Sequence, residues 1–135
     1  MRVLDNTIDS LMLKLSGLAP WGLRLGLGIA FLIHGSSKLP LPPQRLIDNF
    51  DFSPLLASAV AVTEILAGAA IILGGFSRGH GGNLMTRLGA LLVVIIMLNA
   101  FNIAHRDWFI STQLFTSEQL FLLLVGLYFL IRGNR

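Results

Sequence analysis

The residues best suited to chemistry in this chain are ionisable side chains placed inside long apolar segments. Glu64 lies near the middle of one such segment, and His34 and Lys38 stand four residues apart at the end of another. A spacing of four brings two side chains to the same face of a helix. Carboxylate, imidazole and ammonium groups can accept, hold and release protons. These residues therefore predict either proton-linked chemistry or a buried ion-pair network.

Other polar residues fall where they can join this group. Arg24 precedes Lys38 by fourteen residues, which returns to nearly the same angle on a helix. Asn99, Asn102 and His105 follow one another at steps of three. We expect a polar pocket inside a helical bundle, opening toward the outer face, with Arg24 alone on the inner side. Its predicted members are Arg24, His34, Lys38, Glu64, Asn99, Asn102, His105 and Glu118.

Each of these residues also has a structural interpretation. Arg24 can extend its guanidinium to the inner interface, and Lys38 can be an interface anchor. Asn99 and Asn102 can be hydrogen-bond partners between helices. Glu64 is hardest to explain in this way, because a lone carboxylate at mid-membrane is too costly to persist. We expect it to pair with a cation of the first helix, preferably Arg24, whose guanidinium is always charged.

The elements that position these side chains are predicted to be membrane-spanning helices. The 135-residue chain is 54% hydrophobic and 13% charged, with a mean hydropathy of +0.75, whereas soluble domains are about 25% charged. A transmembrane helix needs about 20 mostly apolar residues. Four segments meet this requirement, at residues 19–39, 55–76, 84–104 and 112–131. Glu118 falls within the fourth, because its purely apolar part, 120–131, is too short alone.

Residues 1–18 form a separate element in this interpretation. Apolar residues recur there at steps of three and four, namely Leu4, Ile8, Leu11, Leu15 and Leu18. This pattern predicts an amphipathic helix on the membrane surface; the alternative is a frayed terminus. The predicted fold is all-α and membrane-embedded, a four-helix transmembrane bundle (residues 19–135) with this N-terminal surface helix.

Small residues predict how the first two spanning helices meet. In lipid the hydrophobic effect does not drive helices together, so close backbone approach matters more. We expect the first helix to present one stripe of small residues to a second stripe on the next helix. The first stripe is Gly22, Gly26 and Ala30, and the second is Ala57, Ala61 and Gly68.

In the loop before the fourth segment, Trp108 and Phe109 are typical interface anchors.

Composition and motifs exclude several classes of function. The chain has no cysteine, so it cannot by itself form a disulfide, an iron–sulfur cluster or a cysteine-ligated zinc site. Its basic residues are scattered singly at segment ends, whereas nucleic-acid binding needs a clustered basic face. His34 and His105 without a second pair are a weak signal for haem. No ligand spacing supports a metal site, and none is predicted.

Taken in order, these residues resemble the DoxX family of small four-helix membrane proteins, over nearly all of the chain after residue 20. The matching elements are Arg24, the run His34-Gly35-Ser36-Ser37-Lys38, Glu64 with Gly68, the run Leu73-Gly74-Gly75-Phe76, Arg87 and Glu118. The family often places glycine before and tyrosine after the last acid, but this chain has Ser117 and Gln119 there. A role that depends on that phenol is therefore not expected here.

The resemblance implies a link to redox membranes. Family members are named as subunits of quinol-oxidising or thiosulfate:quinone complexes, or as oxidoreductases, and distant relatives are cargo receptors. We therefore expect a quinone-linked subunit of a respiratory chain in a bacterial-type cytoplasmic (inner) membrane. His34, Lys38 and His105 would donate hydrogen bonds to quinone carbonyls, while Glu64 and Glu118 would pass protons. No residue is assigned a catalytic role.

The chain carries neither a dinucleotide-binding fingerprint nor cysteine. In the redox hypothesis its electrons therefore come from a membrane or peripheral redox protein.

Two further hypotheses remain open. The alternative is a non-catalytic assembly or anchoring subunit, whose polar residues form a structural ion-pair network. A small transporter or receptor is the third hypothesis, but the glycine or proline breaks expected at mid-helix are missing.

The distribution of basic residues predicts the orientation in the membrane. Six Lys and Arg residues lie on the side of the two termini and three on the other, which favours cytoplasmic termini. Reporter domains fused at Asp48 and after Arg135 should therefore report opposite sides of the membrane. A C-terminal reporter that is active outside the cytoplasm would contradict this orientation.

Overall fold

The computed structural model describes residues 2–107 and 111–134, with side chains from residue 6 onward. Trp108 and Phe109, the expected interface anchors, lie outside the described residues. The described part of the chain is helical, without a strand. Its helices are α1 (Arg2–Leu15), α2 (Leu18–Ser36), α3 (Gln44–Phe50), α4 (Pro54–Phe76), α5 (Gly79–Ala104), α6 (Gln113–Thr116) and α7 (Glu118–Arg132).

Three of these helices, α2, α4 and α5, are long and apolar enough to cross a membrane. This confirms the prediction of an all-α, multi-pass membrane protein. The predicted count of four spanning helices is not confirmed, because Ser117 has an extended backbone and separates α6 from α7. The 15 residues of α7 extend over about 22 Å, which is shorter than the roughly 30 Å hydrocarbon core of a bilayer.

Four helices pack around one apolar core. α4 lies between α2 and α5, α7 packs on α5, and α7 also touches α2. Large side chains buried in this core include Leu27, Phe31, Ile71, Val93 and Phe129. Many large apolar side chains point away from this core and are exposed on the helices' outer faces, as expected for a protein solvated by lipid.

Close contact between α2 and α4 depends on glycine. A Cβ atom added at Gly68 would lie 2.6 Å from the carbonyl oxygen of Gly28, and one added at Gly35 would lie 2.9 Å from the backbone nitrogen of Ile65. No side chain fits at these distances, so the two backbones touch directly. This is the close approach that small residues permit in membranes.

The predicted stripe on α2 is wrong, although the predicted close packing is confirmed. Gly22 and Gly26 are exposed, and nothing lies within 4 Å of a Cβ atom added at either. The face that α2 buries instead combines glycine with bulky residues, including Leu27 and Phe31. A search for small residues alone overlooks such a face. On α4 the prediction holds, since Ala57, Ala61 and Gly68 are buried.

The segments outside the bundle pack less extensively than its four helices do. The described side chains of α1 are all exposed, and its location on a membrane surface stays a prediction. A turn containing Pro40, Pro42 and Pro43 separates α2 from α3, because proline cannot continue a helix without losing a hydrogen bond. α3 then contacts α4.

The glycine contacts predict a position-specific effect of one methyl group. Gly68→Ala should lower the melting temperature of the detergent-solubilised protein, because the new methyl group would meet the Gly28 carbonyl oxygen. Overpacking of this kind costs about 1–3 kcal/mol. Gly26→Ala is the matched control, since it makes the same change in helix propensity but meets no atom within 4 Å. Equal melting temperatures for the two variants would contradict the α2–α4 contact.

Candidate functional site

The chain folds back at the end of α2 and places Lys38 beside Glu64. The backbone N–H of Ser37 donates to Ile33, and that of Lys38 donates to Gly35 at 3.1 Å. The Lys38 side chain then turns toward the bundle. Its Nζ donates to the carbonyl oxygen of His34 at 3.0 Å and to Oε2 of Glu64 at 2.5 Å.

The Glu64 side chain is largely buried inside the bundle. The Glu64 side chain is 7% exposed and that of Lys38 is 19% exposed. Glu64 lies ten residues after the start of α4, about 15 Å along the helix. It is nevertheless level with the end of α2, because Gly35 packs against Ala61 and Ile65, which flank Glu64 along α4.

The preference for Arg24 as the partner of Glu64 is wrong, since Lys38 takes that place. Fourteen residues separate Arg24 from Lys38, or about 21 Å along a helix. At that separation Arg24 lies at the other end of the bundle and cannot reach Glu64, which is level with the end of α2. We call the end where α2 terminates the Lys38 end of the bundle, and the opposite end the Arg24 end.

Arg24 has its own set of partners at the other end. It is 4% exposed, and one Nη donates to the carbonyl oxygen of Ile71 and, at 2.9 Å, to Oγ1 of Thr86. Its other Nη donates to Oδ1 of Asn134 at 2.8 Å. Thr86 Oγ1 in turn donates to Asn134 Oδ1 at 2.6 Å, and Asn134 Nδ2 donates to the carbonyl oxygen of Gly74 at 2.7 Å.

Sequence reasoning missed Thr86 and Asn134. The available signal was Arg24 itself, because a buried guanidinium needs several acceptors. It did not indicate which residues supply them, since Thr86 lies 62 and Asn134 lies 110 residues from Arg24. The bond between Arg24 and Asn134 also shows that the start of α2 and the end of α7 lie at the same end of the bundle.

A second ion pair lies at the Lys38 end. His34 Nε2 is 3.4 Å from Oε1 of Glu118, and the two side chains are 43% and 65% exposed. His34 lies in the last turn of α2 and Glu118 in the first turn of α7, where the helix dipoles favour a cation and an anion respectively. This pair connects α2 to α7 and is more open to solvent than the Lys38–Glu64 pair.

The other predicted pocket residues lie in the second half of α5 or directly after it. Asn99 and Asn102 are exposed. The Asn99 side chain donates to the carbonyl oxygen of Ile95 on its own helix at 2.8 Å, and the main-chain oxygen of Asn102 accepts from Arg106 at 2.6 Å. His105 directly follows α5 and is half-buried. A ligand-binding role for any of these residues stays a prediction.

A cavity of about 410 Å³ adjoins Lys38, a size within the range of about 300–1,000 Å³ that is typical of small-molecule sites. It lies between the end of α2, the proline-rich turn and α3. Its lining includes Lys38, Pro40, Pro43, Arg45 and Phe50. Among residues 2–107 and 111–134, no group of three or more side chains is arranged to hold a metal ion. The Lys38–Glu64 pair thus adjoins a mixed polar and apolar cavity, of which Lys38 is a lining residue.

The Lys38–Glu64 pair predicts strong coupling between two substitutions. Lys38→Met should lower the free energy of unfolding by about 3 kcal/mol, because it leaves a buried carboxylate without its cation. The double variant Lys38→Met, Glu64→Gln should be more stable than the sum of the single effects by about 1 kcal/mol or more. Thermal unfolding of the four proteins in detergent measures this coupling.

A matched control comes from the exposed pair. His34→Gln should change the free energy of unfolding by less than about 1 kcal/mol, since exposed ion pairs contribute little. Strictly additive effects of Lys38→Met and Glu64→Gln would show that the two side chains do not interact.

Comparison with known proteins identifies the family of this chain. The DoxX family model matches residues 19–106, a segment that includes all but the first residue of α2, the whole of α4 and α5, and both members of the Lys38–Glu64 pair. No curated protein and no solved structure matches the chain. Since the matched segment covers more than half of the sequence, the chain belongs to the DoxX family.

Proposed function

We propose that this protein is a subunit of a quinone-linked redox system and binds a quinone headgroup at the Lys38 end of the bundle. The observation that carries the proposal is the Lys38–Glu64 ion pair beside a cavity of about 410 Å³. Membership of the DoxX family supports a redox-membrane setting. A quinone headgroup needs a hydrogen-bond donor, a proton acceptor and access from the membrane, and the Lys38 end offers the first two next to each other.

Lys38 is suited to hold a quinone carbonyl. An ammonium group has three N–H donors, and Lys38 uses two of them on the His34 carbonyl and the Glu64 carboxylate. The third has no acceptor among residues 2–107 and 111–134, and we assign it to a ligand in the cavity that Lys38 lines. A hydrogen bond from a charged donor is stronger than one between neutral groups. His34 and His105, which lie at the same end, are further candidate donors.

Glu64 is suited to move the protons that accompany the reaction. Oxidation of a quinol releases two protons and two electrons, so a site needs a base near the hydroxyl groups. Oε2 of Glu64 is 2.5 Å from Nζ of Lys38. Glu64 is therefore close enough to exchange protons with a bound quinol by way of the Lys38 ammonium group. The solvent-exposed His34–Glu118 pair provides a way for protons to leave at the same face.

The two electrons would pass to a partner. Without cysteine or a dinucleotide-binding fingerprint, the chain itself offers no conventional group to accept them. The proposal therefore includes a membrane or peripheral redox protein that carries the electron acceptor. The setting is the bacterial-type cytoplasmic membrane, with both termini in the cytoplasm and the Lys38 end at the outer face, as the Lys and Arg distribution favours.

A non-catalytic assembly or anchoring subunit is the second candidate. The observation in its favour is that both ion pairs join different helices, α2 to α4 and α2 to α7. Such pairs can hold a bundle in one geometry without taking part in chemistry. Under this alternative the Lys38 cavity would bind no quinone, although loss of the buried Lys38–Glu64 pair would still destabilise the fold.

Quinone binding separates the two candidates. Protein purified in mild detergent should contain extractable quinone and should bind a short-chain benzoquinone or naphthoquinone, detected as a rise in melting temperature. In the charge-compensated variant Lys38→Met, Glu64→Gln, binding should weaken about tenfold, the usual effect of losing one hydrogen bond to a charged group.

The control for this experiment is Arg106→Gln, which removes an exposed positive charge at the same end of the bundle, outside the cavity. It should bind quinone as the wild type does. Absence of bound quinone and of any response to either short-chain quinone would reject the redox proposal. A partner recovered in a fixed ratio without quinone would then favour the assembly subunit.

A further inference from the structure

A second cavity, of about 380 Å³, lies at the Arg24 end of the bundle. It is bounded by the start of α2 and the end of α7. Its lining includes Trp21, Arg24, Tyr128, Arg132 and Asn134. Two of these side chains are guanidinium groups, which stay protonated throughout the physiological pH range. The proposed quinone site does not involve this cavity, so the inference below is independent of it.

Arg24 has hydrogen-bonding capacity left for a ligand. A guanidinium has five N–H donors, and three of them are used on Ile71, Thr86 and Asn134. The remaining two have no acceptor within the part of the chain that the structure describes. Its Nε lies against Gly75, where an added Cβ atom would be 2.7 Å away, and Gly75 also lines the cavity.

No carboxylate neutralises Arg24 in residues 2–107 and 111–134. The Lys38–Glu64 and His34–Glu118 pairs are both at the Lys38 end, and neither includes Arg24. All three acceptors of Arg24 are neutral oxygens. A buried charge that is not paired is costly, so a guanidinium that is 4% exposed beside a cavity is best satisfied by an anion that enters the cavity.

The position of the cavity fits the interface of the membrane. Arg24 lies six residues after the first residue of α2, about 9 Å along the helix. Trp21 and Tyr128 have the side chains that are most enriched at the level of lipid headgroups. Phosphate groups lie at that level, and the planar guanidinium binds phosphate oxygens through two parallel hydrogen bonds.

We propose that the Arg24 cavity is a binding site for a phosphate-type anion, with Arg24 at its base and Arg132 at its mouth. The chemistry is the same for the headgroup of an anionic phospholipid and for free phosphate. The hydrogen bonds of Arg24 already fix its guanidinium in one position. Binding an anion therefore does not cost the conformational entropy of ordering this side chain. Arg132, which is exposed, adds the second positive charge.

The test uses the full chain in a neutral detergent, with the melting temperature as readout. The three probes are phosphatidylglycerol, diacylglycerol with the same acyl chains, and inorganic phosphate. We expect a saturable rise with phosphatidylglycerol or with inorganic phosphate, and none with diacylglycerol, which lacks the phosphate. A response to phosphatidylglycerol alone identifies a lipid headgroup as the ligand, and a response to inorganic phosphate identifies the free anion.

Arg132→Gln is the informative variant because its side chain is exposed and the hydrogen bonds of Arg24 do not involve it. The half-saturating concentration should rise about tenfold, as expected for one lost hydrogen bond to a charged group. Arg78→Gln is the matched control, an exposed arginine between α4 and α5 that does not line the cavity; it should respond as the wild type does. The proposal is overturned if neither phosphate probe stabilises the wild type, if diacylglycerol acts as well as phosphatidylglycerol, or if Arg132→Gln and wild type respond equally.

Discussion

A carboxylate near the middle of a membrane helix must be neutralised, and Glu64 imposes that constraint on the rest of the bundle. Lys38 meets it from just beyond the end of α2. The pair can form only because Gly35 and Gly28 let α2 approach α4 at backbone distance. Helix packing and charge compensation therefore depend on each other, since separating the two helices would also leave a carboxylate without its cation.

The two ends of the bundle handle buried charge in different ways. At the Lys38 end, cations are matched by carboxylates from neighbouring helices. At the Arg24 end, the guanidinium is held by a carbonyl oxygen, a hydroxyl group and an amide oxygen, all of them neutral. The first arrangement suits proton-linked chemistry, because its groups can exchange protons. The second suits recognition of an anion, because its positive charge is fixed in position and no carboxylate of the described residues cancels it.

Because the two ends hold their charges differently, a ligand at one end would affect different helix contacts from a ligand at the other. A ligand at the Lys38 end would bind to a lysine that already belongs to an ion pair, so its binding is coupled to the stability of the α2–α4 contact. A ligand at the Arg24 end would instead add to a set of hydrogen bonds that connects α2, α4 and α5 with Asn134, just beyond α7. Such an anion would tie the start of α2 to the end of α7, a pair of helices that meet less extensively than α2 and α4 do.

The sequence by itself determined that this is an all-α membrane protein of the DoxX family, because apolar segments of spanning length and the order of the charged motifs are local properties of the chain. It also predicted that Glu64 pairs with a cation of the first helix. Only the tertiary structure decided that this cation is Lys38, since helix periodicity gives the angle of a residue but not its depth relative to another helix. Only the tertiary structure also identified Thr86 and Asn134 as partners of Arg24, because residues this far apart in the sequence meet only in the folded bundle. The structure also interrupts the predicted fourth span at Ser117, so that its longer helix begins only at Glu118. Gly28 rather than Gly26 faces α4, because interhelical packing selects which of several possible faces is buried.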